Sequence, residues 1–304
     1  MEKKNNWKAW LYLAPALVLL AVFTFYPFFK TIGISFLENY DPLAAASGAS
    51  FKIGIGNFRD VISYSKFKEI MFNTILIVVI TVPASTLLAL LIAVALNSIK
   101  PLQKIFQTIF FLPYVTNSIA IGMVFSIMFQ VVGVGDIIQT AGIINKFLGF
   151  FGIGAINWIG IGASKAAKMT VLCIYIIWNA LPFKILILVG ALQSVNKQYY
   201  DAAKIDCASR FRVFTKITVP LISPMIAYVL ITGFIGAFKE YTSVIGIFGE
   251  KLDIYGMNTV VGFIYNALAN TNYGRASAGA LILFVIILII TALNLYVSKK
   301  KVHY

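Results

Sequence analysis

Apolar runs long enough to cross a bilayer recur six times along the chain: Trp10 to Phe29, Ile70 to Leu96, Ile105 to about Gln130, Met169 to Ala191, Leu221 to about Ile245, and Ala276 to Ser298. Each approaches or exceeds the roughly twenty residues that a spanning helix needs. All are rich in Leu, Ile, Val and Phe and show no sustained period of two, which favours helices over the strands of a barrel. The pattern predicts an all-α integral membrane protein of about six transmembrane helices. Prolines punctuate the runs, at Pro15, Pro27, Pro83, Pro113, Pro182, Pro220 and Pro224. An interior proline removes a helix hydrogen bond and tends to kink the helix, although membrane helices tolerate it widely.

Three longer polar connections separate these runs. Thr31 to Glu69 contains glycine and charge, and Val131 to Lys168 is Gly-rich, with GVGD at Gly133 to Asp136. Within the second connection Ile137, Ile138, Ala141, Ile144 and Leu148 have the spacing of a short surface-lying or re-entrant helix. The third, Gly246 to Arg275, carries a polar patch at Asn266 to Asn272. These pieces read equally as a surface for a delivery protein or as solvated connections.

Composition narrows the class further. Hydrophobic residues make up 60% and charged residues 12% of 304 residues, about half the charged fraction of a soluble domain, with a mean hydropathy of +0.88. The net charge of +14 is dispersed among loops without an aromatic-interleaved stripe, which argues against nucleic acid and for basic loops on the cytoplasmic side. Lys3, Lys4, Lys8, Lys100, Lys104, Lys197, Lys204, Arg210, Arg212, Lys216 and Lys299 to Lys301 fall on one set of connections, more densely than the bases on the other set. That asymmetry predicts both termini inside.

The apolar run after MEKKNNWKAW is longer than a signal-peptide core and reads as a retained first span. Cys173 lies in an apolar run and Cys207 in a polar loop, so no disulfide framework is expected. The lone histidine, His303, leaves metal binding and His-based catalysis without their usual ligands; no catalytic residue, metal or cofactor is expected. No loop ending in Gly-Lys-Ser or Gly-Lys-Thr is present, so ATP hydrolysis is not expected in this chain.

Between the fourth and fifth runs, Asn196 to Pro224 reads NKQYYDAAKIDCASRFRVFTKITVPLISP, a polar and basic island. Asn196 is a plausible N-cap, and the helix after it would place Tyr199, Ala202 and Ala203 on one shallow face that another protein can approach. Asp206 and Arg210 stand four apart in the favourable order for an exposed pair. A break is expected near Cys207 to Ser209, followed by the bases Arg210, Arg212 and Lys216.

Asp201-Ala202-Ala203, then Cys207, then Ile217 and Val219-Pro220, resembles the EAA loop of membrane subunits of binding-protein-dependent ABC importers. Two positions depart from that pattern: Asp201 stands for the usual Glu, and Cys207 for the usual Gly, where a positive φ is expected. YLAPALVLLAVFTFYPFF at Tyr12 to Phe29, FNT at Phe72 to Thr74, FFLPY at Phe110 to Tyr114, WNALPFKILILVGALQSV from Trp178 and YGRASAGALILF at Tyr273 to Phe284 are similar to the carbohydrate-uptake branch, as in maltose and glycerol-phosphate permease subunits. A Gly-Gly-Pro turn common after the fifth span in that branch is absent, and IGIFGEKLD stands in its place.

The resemblance implies an ABC importer permease bundle over residues 10–298, between a cytoplasmic N-terminus (1–9) and tail (299–304), with an EAA-type coupling loop at 196–220. It implies as partners a second related permease subunit, two ATP-binding subunits and an extracytoplasmic solute-binding protein. The ATPase contact would use Asp201, Ala202, Ala203, Asp206, Cys207, Ile217 and Pro220. The cargo implied is a sugar or oligosaccharide, with glycerol phosphate or another polar solute as the alternative. A stand-alone secondary transporter would call for internal repeats and deep coupling charges, and no clear repeat is present.

Polar residues inside apolar runs mark a possible solute path, because a polar group in hydrocarbon needs a cavity or a partner. Asn117, Trp178, Asn179, Lys239, Glu240 and Tyr241 are those residues, with Gln130 at the end of the third run. Rings can cover a sugar's apolar face while amides and carboxylates bond its hydroxyls. Trp178 also reads as an interhelical packing residue, Lys184 as a lysine whose amine snorkels to the interface, and Lys239 and Glu240 as the end of a span.

Overall fold

A computed structural model of the chain describes residues 6–99, 103–134 and 137–301. Lys3, Lys4, Lys100, Asp136 and His303 lie outside the described residues. The elements in order are α1 (Asn6–Leu20), a π-helical turn (Ala21–Phe25), α2 (Tyr26–Ser35), α3 (Pro42–Ala46), α4 (Gly56–Ser63), α5 (Phe67–Ser98), α6 (Gln103–Val115) and α7 (Ser118–Phe129). There follow β1 (Val131–Val134), β2 (Ile137–Ala141), α8 (Ile143–Gly149), α9 (Lys165–Ser194), α10 (Lys197–Ile205), α11 (Arg210–Val213) and a second π turn (Phe214–Thr218). The chain ends with α12 (Val219–Leu221), α13 (Ser223–Phe238), α14 (Thr242–Phe248), α15 (Leu252–Tyr255), α16 (Val260–Ala269) and α17 (Tyr273–Lys301).

Helices dominate, as the apolar runs predict, and four of them are long and apolar enough to cross a membrane: Trp10–Ser35, Phe67–Ser98, Lys165–Ser194 and Tyr273–Ser298. The third and fifth runs are each a bent pair of helices, which brings the count to the expected six where each pair is one span. The third is a pair of helices bent by 101° between Val115 and Ser118, and the fifth is bent by 69° between Leu221 and Ser223. The fifth also stops at Phe238, so Lys239, Glu240 and Tyr241 lie between α13 and α14 rather than late in a span. Residues 137 to 148 are not one helix. Their first part pairs as β2 in an antiparallel hairpin with β1, and only α8 is helical, starting after the glycine at Gly142 that separates the two.

Prolines act through two devices. Each π turn ends two residues before a proline, Pro27 and Pro220. A proline has no N–H for the carbonyl four residues back and crowds it, and Phe23 and Lys216, the residues in those positions, both sit inside the widened turns. Pro15, Pro83, Pro113 and Pro182 are carried inside α1, α5, α6 and α9 without a break.

The chain divides into two units, Met1–Lys68 with Phe263–Val285, and Glu69–Gly262 with Ile286–Tyr304. In the first, Asn57 on α4 donates from Nδ2 to the carbonyls of Ser35 at 3.1 Å and Leu37 at 2.9 Å. Arg275, at the start of α17, forks onto Asp60 with bonds of 2.6 and 2.7 Å. A Cβ at Gly274 would lie 2.7 Å from Asn57 Oδ1, so a side chain there would push the Asn57 amide away from the Ser35 and Leu37 carbonyls.

In the second unit, α9 is the central strut. Its first half packs Met169, Leu172, Tyr175 and Ile176 with Ile77 of α5, Phe129 of α7 and Val244 of α14. Its second half packs Ile185, Leu188 and Leu192 with Ala89 and Ala93 of α5 and Val229 of α13. Helices α7 and α14 meet at Gly122 and Gly246, where a Cβ on Gly122 would lie 2.7 Å from the Gly246 Cα. Asn73 of α5 ties in the segment before α16, donating to the carbonyls of Gly256 and Asn258 at 3.0 Å each.

Candidate functional site

Two features stand out in the second unit: an exposed polar loop and a polar cavity among the apolar helices. The loop begins where α9 stops. The Asn196 side chain accepts from the Gln198 N–H at 3.0 Å, the N-cap expected from sequence, and α10 follows. Ala203 is buried, while Tyr199 and Ala202 stay exposed. Together with Asp206, Arg212 and Ile217 they line a groove of about 530 Å³.

The turn after α10 is a Schellman motif. Cys207 N–H donates to the Lys204 carbonyl at 3.1 Å and Ala208 N–H to the Ala203 carbonyl at 3.0 Å, the paired bonds of a left-handed helix end. Cys207 sits at φ 50°, so the backbone keeps the shape usually given to glycine although the residue carries a side chain. Ser209 then caps α11, accepting from the Arg212 N–H at 3.3 Å.

The pair expected between Asp206 and Arg210 does not form, because α10 ends before Asp206 and the four-residue spacing is lost. Asp201 pairs instead with Lys204 at 3.1 Å, with 49% of its side chain exposed. So exposed a pair contributes at most about 1 kcal/mol, and the carboxylate can exchange it for a stronger partner. Ile217 lies in the π turn and Pro220 in α12, at the bend that leads into α13.

The cavity lies among α5, α6, α9 and α13 and has a volume of about 270 Å³. Tyr114 and Phe183, stacked with centroids 6.0 Å apart, form an apolar wall. Thr81, Ser85, Asn179 and Thr232 supply polar groups. Lys184 and Glu240 also border it. Of the path residues expected from sequence, the structure therefore brings together Asn179 and Glu240.

The other four lie elsewhere. Asn117 is exposed at the 101° bend, capping α7 by accepting from Ile119 and Ala120 N–H groups. Trp178 packs against Phe125 at 5.4 Å and Tyr175 at 6.4 Å, the packing alternative. Tyr241 joins the same cluster, and Lys239 is exposed at the end of α13.

Lys184 is the residue that sequence reading placed differently. It does not snorkel: the side chain is 5% exposed, and Nζ donates to Ser85 Oγ at 2.7 Å, Thr86 Oγ1 at 2.9 Å and the Val82 carbonyl at 3.4 Å. The legible signal was on α5, where Thr81, Ser85 and Thr86 place hydroxyls at helical spacing inside an otherwise apolar run.

Long apolar helices, two sharply broken pairs and a polar cavity among them define a membrane-embedded transport subunit. The chain belongs to the family of binding-protein-dependent transport system inner membrane components, whose sequence profile matches residues 85–303. It is 31% identical over 286 residues to a probable ABC transporter permease protein of Mycoplasma genitalium, covering 92% of this chain and 82% of that one. It is 26% identical to the lactose transport system permease protein LacF of Rhizobium radiobacter, covering 99% and 97%. The fold also matches a chain of a bacterial alginate ABC transporter solved with an alginate pentasaccharide-bound periplasmic protein, with a TM-score of 0.79, 20% identity and coverage of 98% and 96%. The protein is thus a multi-pass component of the cytoplasmic membrane and a transport permease rather than an enzyme.

Proposed function

We propose that this permease forms the translocation path for a sugar or oligosaccharide handed over by an extracytoplasmic binding protein. It would act with a second related permease subunit and two ATP-binding subunits. The observation that carries the reading is the polar cavity within the apolar bundle, since polar groups in hydrocarbon persist where they face a cavity or a partner. The named cargoes of its relatives support a carbohydrate: lactose for one and arabinooligosaccharides for another, a permease of Bacillus subtilis that is 27% identical.

The loop at Asn196 to Pro220 is the proposed ATPase contact. Its groove is shallow because Ala202 and Ala203 face it, and Asp201 stands beside it with a weakly held carboxylate. ATP-driven closure of the partner subunits would draw the loop along. The bend at Ile222 then carries the movement into α13, which borders the cavity.

Proteoliposomes containing the full complex test this reading. Uptake of a labelled oligosaccharide should require ATP, the binding protein and a loop at residue 201 that is labelled only from the ATPase side. Solute accumulation by this polypeptide alone, without nucleotide, would overturn it.

A further inference from the structure

Lys184 brings a full positive charge into the apolar bundle and has only neutral oxygens around it. Its three partners are two hydroxyls and a backbone carbonyl, and none of the ion pairs among the described residues involves it. Removing an ammonium from water costs several kcal/mol unless an opposite charge compensates. Its bonds are uneven. The two hydroxyl bonds are short, whereas the third, at 3.4 Å, is near the limit for a hydrogen bond. One of the three ammonium donors is thus weakly committed on a group that borders the cavity.

Gly233 of α13 lets the helix backbone lie close to the ammonium, since a Cβ there would lie 3.2 Å from Nζ. Glu240, two residues past the end of α13, borders the same cavity, and its Oε2 is buried without a hydrogen-bond partner. The cavity therefore has a cationic end at Lys184 and an acceptor end at Glu240, each without a charged partner. A neutral sugar could bond to the acceptor end through its hydroxyls, but it leaves the ammonium uncompensated.

From this polarity we infer that the cargo carries an anionic substituent, a carboxylate, sulfonate or phosphate ester, which docks on Lys184 while hydroxyls of the same molecule bond Glu240. The inference rests on the carbohydrate reading above and narrows it to acidic carbohydrates. The anion takes the donor now shared with the Val82 carbonyl, and Ser85 and Thr86 hold the ammonium in place. Lys239, the other lysine near this end of α13, is exposed and does not border the cavity, so the discrimination lies with Lys184.

The test uses the assembled importer in nanodiscs, without the binding protein, so that selection by the latter does not intervene. Three probes are titrated: a galacturonate disaccharide, its neutral galactose counterpart and glycerol 3-phosphate. A hydrogen bond to a charged group corresponds to roughly tenfold or more in affinity, so the wild type should bind an acidic probe about tenfold tighter than the neutral disaccharide. Lys184→Gln should erase that preference, and Lys184→Arg should keep most of it. Glu240→Gln, which leaves the cation in place, should retain the preference, and Lys184→Arg separates loss of the charge from misassembly of a Lys184 variant.

Equal binding of the acidic and neutral disaccharides by the wild type would overturn the inference and leave the carbohydrate reading standing. So would a preference unchanged in Lys184→Gln. Tight binding of glycerol 3-phosphate alone, dependent on Lys184, would support the anion site and refute the carbohydrate cargo. Binding of none of the three would overturn both.

Discussion

Replacing Cys207 by glycine should stabilise the loop on which coupling is proposed to depend. Cys207 is the C′ residue of the Schellman turn and holds φ at 50°, where an L-residue pays about 1–2 kcal/mol relative to the right-handed region. Glycine removes that strain but has more freedom in the open state, a loss of roughly 0.4–1 kcal/mol. The balance is a gain of about 0.5–1 kcal/mol for the closed turn. Cys207→Val should act the other way, since β-branching makes the left-handed conformation worse. Hydrogen exchange of the Cys207 and Ala208 amides, whose bonds to Lys204 and Ala203 close the turn, reads this directly in nanodisc-embedded complex without nucleotide. In the regime where exchange follows the opening equilibrium, protection at position 208 should rise about two- to fivefold in the glycine variant and fall in the valine variant. Unchanged or weaker protection with glycine would refute the strain argument.

Other substitutions probe the remaining features. Asp201→Ala should leave the fold intact, because its pair with Lys204 is exposed, yet uncouple transport from ATP hydrolysis by removing the charge proposed to meet the ATPase, at a cost of about 2–5 kcal/mol to docking; wild-type uptake rates in the variant would contradict the coupling role. Asn73→Ala leaves the Gly256 and Asn258 carbonyls without their donor and should cost about 1–3 kcal/mol, seen as a lower midpoint in detergent thermal unfolding. Gly122→Val drives a side chain into the Gly246 backbone and should cost at least about 1–3 kcal/mol by overpacking, whereas Leu288→Val on α17, whose side chain is half exposed, should shift the same midpoint far less.

Much of the local architecture was legible in the chain. The N-cap at Asn196, the helix over Asp201 to Ala203 and the break at Cys207 follow from residue chemistry confined to one or two turns, so spacing alone reveals them. The motif FNT at Phe72 to Thr74 was also readable, but not its purpose: Asn73 and Thr74 reach the backbone of residues 256 to 260, almost two hundred positions away. Asn117, Trp178 and Lys239 marked polarity in apolar runs correctly, yet polarity says only that a partner is needed. Asn117 found it in its own helix terminus, Trp178 in an aromatic cluster and Lys239 in exposure beyond the helix end.

By itself the sequence determined the solvent. Six long, nearly uncharged runs can be satisfied only in lipid, and without a period of two they do so as helices, because backbone groups in hydrocarbon must be bonded within the protein and barrel strands would alternate. It also determined the capped loop between two of them. What needed tertiary structure was which polar groups share a space. A break of 101° or 69° leaves apolar composition almost unchanged, and the buried state of Lys184 depends on hydroxyls contributed by a different helix. Periodicity along one helix records its own faces, whereas a cavity is set by the faces of several helices at once.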